Sequence, residues 1–176
     1  MLARLGIAAD AIDPAEIDEA PLGGELPLPH ARRLAAEKAA CVAARHPGAL
    51  VLAADTVVAA GRRILPKTED EPQARACLEL IHGRRHRVHT AVTLIGADGR
   101  AQHRDVTSVV AFKRLQPDEI AAYLASGEWR GKAGGYAIQG RAEGFVRFMS
   151  GSWSGIVGLP LYDTRAMLRS AGYPLD

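Results

Sequence analysis

Apolar residues recur at helical spacing from Pro29 to about His46, with Ala31, Leu34, Ala35, Cys41 and Val42 on one stripe. Pro47-Gly48 ends that helix. Ala49 to Ala60 is an almost continuous apolar run ending in Thr56-Val57-Val58, the pattern of a buried strand. Asp70, with Pro72 in the first turn, opens a helix to about Ile81. His86–Ile95 and Asp105–Lys113 read as strands joined through Asp98-Gly99, a hairpin signal. A short helix follows from Pro117 to Gly127, with strand-like pieces at Tyr136–Gln139 and Phe145–Met149 and a closing helix from Leu161 to Ala171. Ala8 to Leu28 is acidic and rich in Pro and Gly, and reads as loop with one short strand; Ile64 to Glu69 also reads as loop. Helices and strands alternate early and a hairpin sits in the middle, so the expected fold is α/β with a single mixed sheet flanked by helices.

Polar residues break this pattern at a few places. Lys38 lies four residues from both Leu34 and Val42, on the apolar stripe, where it must snorkel or meet an anion. Asp55 interrupts the most apolar strand, and a carboxylate there is expensive unless it is paired, hydrogen-bonded or on a metal. It either serves a ligand or ends the strand and caps a turn. Lys67, after Pro66 in a loop, suits a phosphate contact as well as an ordinary surface position. Glu19 cannot be separated from its neighbours Glu16 and Asp18 by composition. Gln139 stands among glycines that allow close backbone approach, with an amide able to read a base edge or to brace a turn.

Composition narrows the field. With 176 residues, one domain is expected. A formal charge of +2 and no aromatics within the basic run His82–Arg87 argue against nucleic-acid and membrane partners. Cys41 and Cys77 lack metal-ligand spacing and read as free thiols of a cytoplasmic protein. Walker A, GxGxxG, HExxH and GxSxG motifs are absent. Gly (18) and Pro (10) make up about a sixth of the chain, and many fall between Gly131 and Pro160.

Eight segments in order resemble the Maf family of nucleoside triphosphate pyrophosphatases. They are Ile17-Asp18-Glu19, Leu34–Ala39, Ala54–Val58, Ile64–Lys67, Gly83–Val88, Gly127-Glu128, Lys132–Gly140 and Gly151–Leu161. The resemblance implies an inosine triphosphatase-like fold of two lobes around a central cleft. It also implies hydrolysis between the α- and β-phosphates of a nucleoside triphosphate with Mg²⁺ or Mn²⁺, and a homodimer. Asp55 would be the general base or a metal-linked carboxylate, Glu19 would help hold the cation, and Lys38 and Lys67 would neutralise phosphate charge. Thr56 and Gln139 would sit near the base, and the Ile138-Gln139-Gly140 form looks like the branch acting on dTTP and UTP. Two further readings stand beside it: a catalytically impaired nucleotide-binding or cell-division regulatory protein, and the 7-methyl-GTP branch. The family begins with a strand and a Ser-x-Ser-Pro-Arg-Arg loop, whereas Met1 here aligns within the following helix, so a longer native product is expected. Pro66 replaces the family's usual Gly and stiffens the loop before Lys67.

Overall fold

The computed structural model describes residues 1–175. A five-stranded sheet has the order β2-β1-β3-β4-β5, formed by β1 (Val51–Ala60), β2 (Arg63–Leu65), β3 (Arg85–Ile95), β4 (Ala101–Phe112) and β5 (Val146–Ser150). The helices are α1 (Pro27–Arg45), α2 (Glu71–Ile81), α3 (Pro117–Ser126), α4 (Trp153–Val157) and α5 (Leu161–Ser170). No helix among the described residues is long and apolar enough to cross a membrane.

The α/β class holds, but every strand pairing is antiparallel, where a mixed sheet was expected. The reason lies in the connection after β1. Gly61 (φ 63°) turns the chain into β2, and α2 then returns it, so β3 enters against the direction of β1. β2 itself runs into the stretch from Ile64 expected to be loop, since three residues are too few for an alternation to show. The helix α1 starts at Pro27 rather than Pro29, because both prolines fit a first turn whose N–H groups have no intrahelical partner. Asp70 caps α2 as expected, accepting from the Gln73 N–H at 2.8 Å.

Two expected strand pieces do not form. Tyr136–Gln139 follows Gly134 (φ 68°) and Gly135 (φ 72°), which break the pleat, and Gly140 N–H turns back to the Ala137 carbonyl at 3.0 Å. Along residues 8–25 the backbone bonds to side chains instead of a neighbouring strand. Arg45 and Arg33 donate to the carbonyls of Pro14 and Ala20, each at 3.0 Å. Ion pairs Asp13–Arg45 and Glu25–Arg33 hold this segment to the two ends of α1.

The sheet's faces are distinct. Asp55, Val57 and Ala91 face α1, where Val57 and Ala91 pack on Ala31 and Ala35. The other face carries the main core, in which Val58, Val88, Val110 and Phe112 meet α2, α3, Trp129 and Tyr136. Within it, His86 is buried edge-to-face against Phe112 and pairs with the Tyr136 hydroxyl at 2.8 Å. Burial pushes this imidazole from its ordinary 6.5 down to about 4. The unfolded chain therefore gains a proton below about pH 6.5 that the native protein refuses. His86 stabilises the fold least at the acid end, and its share of the stability falls by about 2 kcal/mol between pH 7 and pH 5. Denaturant unfolding at both pH values, compared with His86→Gln, checks this: the variant should lose less stability on acidification. An equal loss in both proteins refutes the assignment.

Candidate active site

The cavity that collects the expected residues runs along one edge of β1. Strand β2 pairs with β1 only from Val58 to Ala60, so the edge at residues 54–56 has no strand neighbour among the described residues. Successive side chains of a strand point to opposite faces. Asp55 and Thr56 thus reach around the open edge from opposite sides, and both line a cavity of about 310 Å³. The opposite wall is the glycine-punctuated segment 131–139, tied to the loop before α2 by a short ladder. Gly134 N–H donates to Pro66 at 3.0 Å, Thr68 N–H to Lys132 at 3.2 Å and Gly131 N–H to Thr68 at 2.8 Å. That ladder sets Lys67 opposite Ala133 and so brings Lys67 to the cavity wall.

Four charged groups form one chain. Lys38 Nζ lies 2.7 Å from Asp55 Oδ1 and 2.6 Å from Glu19 Oε1, and Lys67 Nζ pairs with the other Glu19 oxygen. The Asp55 side chain is only 5% exposed, so its charge is compensated by Lys38 rather than by water. Burial pulls the Lys38 ammonium down, but its bonds to Asp55 and Glu19 outweigh that and raise it above its ordinary value. Burial likewise pushes Glu19 up, and the two ammonium groups hold it below the usual carboxylate range. Lys38 thus meets anions rather than snorkelling, and Asp55 lies within β1 rather than ending it. Glu19 is also separated from its neighbours, since Asp18 folds back onto the Ala20 N–H at 2.9 Å.

Thr56 and Gln139 line the same cavity as Asp55, Lys38 and Lys67. Gln139 is exposed and has no hydrogen-bond partner among the described residues. One lining residue escaped the sequence reading. Lys132 opens the Lys-Ala-Gly-Gly segment, reaches the cavity, and makes no ion pair among the described residues. Its sequence signals were its place beside the glycines and its position at the head of the Maf-like segment Lys132–Gly140, neither of which gave it a role.

A profile of the family described as Maf-like protein matches residues 1–171. The chain belongs to the Maf-like family. It is 60% identical over 173 residues to a dTTP/UTP pyrophosphatase of Rhodospirillum rubrum, covering 98% of this chain and 82% of that protein. It is 61% identical over 173 residues to the protein of that name from Paramagnetospirillum magneticum, with 98% and 91% covered. The Zymomonas mobilis relative, also a dTTP/UTP pyrophosphatase, is 58% identical over 176 residues, with 100% and 87% covered. The Maf-like motifs Ala54–Val58, Ile64–Lys67 and Lys132–Gly140, far apart in the chain, meet at this one cavity.

The donor set also fits a hard divalent cation. Glu19 and Asp55 offer carboxylate oxygens on either side of one ammonium group, which already holds a positive charge between them. Among the described residues no cluster of three or more His, Cys, Asp or Glu side chains could hold a metal alone. The remaining ligands would have to be water and phosphate oxygens, the usual arrangement for Mg²⁺ at a nucleotide site.

Proposed function

We propose that this Maf-like chain hydrolyses dTTP, UTP and related modified nucleotides to the monophosphate and pyrophosphate. One observation carries the reading: Asp55, buried and paired to Lys38, opens onto the same cavity as Thr56 and Lys67 in a chain about 60% identical to dTTP/UTP pyrophosphatases. In this reading Asp55 accepts a proton from water as the water oxygen bonds to the α-phosphorus. The bond from that phosphorus to the oxygen bridging to the β-phosphate breaks, and pyrophosphate leaves with that oxygen. Lys38 and Lys67 turn from Glu19 and Asp55 toward the phosphate oxygens as point-charge donors, leaving both carboxylates free. Glu19, joined by Asp55 if that carboxylate serves as a cation ligand instead of as the base, would then hold Mg²⁺ or Mn²⁺, which supplies charge neutralisation for the triphosphate and lowers the pKa of bound water. Thr56 and Gln139 face the base. A cytoplasmic setting, where these nucleotides are made and used, agrees with the unpaired cysteines Cys41 and Cys77.

A panel of dTTP, UTP, CTP, ATP and 7-methyl-GTP tests the reading with Mg²⁺, with Mn²⁺ and with a chelator. The expected result is equimolar monophosphate and pyrophosphate from dTTP and UTP, lost on chelation and restored by the cation. Release from 7-methyl-GTP alone would move the chain to the other branch. Nucleotide-dependent thermal stabilisation with no pyrophosphate from any substrate would favour a binding or regulatory protein.

A further inference from the structure

The hydroxyl groups beneath the cavity have a fixed polarity. Thr56 and Thr90 are directly paired across β1 and β3, and their hydroxyl oxygens are 3.0 Å apart. Thr90 is buried, and its hydroxyl donates to the Gly155 carbonyl of α4 at 2.7 Å. A carbonyl only accepts, and a threonine has one hydroxyl proton. With the Thr90 proton committed to Gly155, the contact between the two threonines must use the proton of Thr56. Only lone pairs then remain on Thr56 to meet a ligand. They are reached from the cavity, which Thr56 itself lines. Gln139 does not set the polarity in this way, since its unpartnered amide can present either end.

We propose that Thr90 is a positioning residue that makes the Thr56 hydroxyl an acceptor, so that the site selects a pyrimidine whose ring imide nitrogen carries a proton. Uracil and thymine carry an imide N–H at the ring position where cytosine carries a lone pair. A cytosine whose ring nitrogen faces Thr56 there meets acceptor against acceptor, unless the Thr56 proton gives up its bond to Thr90. This deepens the pyrophosphatase reading and rests on it. Thr90 touches no substrate and acts only through Thr56.

The test is the ratio of kcat/KM for UTP over CTP in the wild type, Thr90→Val and Thr90→Ser, with thermal melts of each protein. A site that hydrogen-bonds a group of its substrate rejects a mismatched analogue strongly, so a preference of about tenfold or more for UTP is expected in the wild type. In Thr90→Val the Thr56 proton is released and can turn toward the cytosine lone pair, and the ratio should fall to about one. Thr90→Ser keeps the hydroxyl and should keep the ratio. Should Thr90→Val fail to fold, Thr90→Ala replaces it with the same expectation. An unchanged ratio in the folded hydroxyl-free variant, an equal collapse in Thr90→Ser, or a wild type without preference overturns the proposal. Failure of the wild type to release pyrophosphate from any nucleotide would instead overturn the pyrophosphatase reading.

Discussion

Asp55→Asn is expected to lower pyrophosphate release from dTTP or UTP by roughly 10³-fold, the scale of losing a positioned general base. The substitution is nearly isosteric and keeps an amide oxygen to accept from Lys38. Lys38 keeps a full counter-charge in Glu19, 2.6 Å away. The fold should therefore survive with a loss of about 1–3 kcal/mol, the scale of one charge-assisted hydrogen bond. Initial rates, a thermal melt and Mn²⁺ titration separate the two roles open to Asp55. A variant that still binds Mn²⁺ with a nucleotide analogue but does not turn over assigns it as the base, and loss of cation binding assigns it as a ligand. Activity within tenfold of the wild type would remove Asp55 from the mechanism altogether.

Gly134→Ala is expected to have the largest effect on stability. Gly134 holds φ 68°, and a Cβ there would stand 2.7 Å from Val58 Cγ1 and 3.0 Å from Val58 Cβ. Val58 is a core residue of β1 and cannot step aside without disturbing the sheet. Left-handed strain and overpacking together cost about 2–5 kcal/mol. The melting temperature should fall by roughly 10 °C in a chain of this length. The damage should extend to the cavity, because Gly134 N–H bonds to Pro66 and this ladder places Lys67. Differential scanning calorimetry with nucleotide titration is the check. A melting point within about 2 °C of the wild type would show that segment 131–134 gives way freely.

Several elements were legible from local pattern because they depend on local physics. Asp70 caps α2 through its own backbone neighbours, and Gly127 ends α3 in a left-handed turn. Lys38 and Asp55 announced themselves as charges in apolar surroundings, and burial near a partner is what such charges require. The elements misread are those settled by distant partners. β2 exists because β1 is there to pair with it, and Tyr136–Gln139 is not a strand because its glycines and its bond to Tyr123 take the backbone elsewhere. Pro66 did not keep Lys67 from the cavity, since the chain is held there by Ala133.

Local chemistry along the chain thus determined the α/β class, most helix boundaries and the identity of the charges out of place, and the ordered Maf-like motifs pointed to the chemistry. Tertiary structure alone decided that all strands run antiparallel, that Glu19 is the acid that meets both lysines, and that Thr90 dictates the polarity of Thr56. The physical reason is the same in each case. Which carboxylate meets an ammonium, or which hydroxyl keeps its proton, depends on atoms brought within 3 Å from 17 to 65 residues away, and periodicity carries no record of such distances.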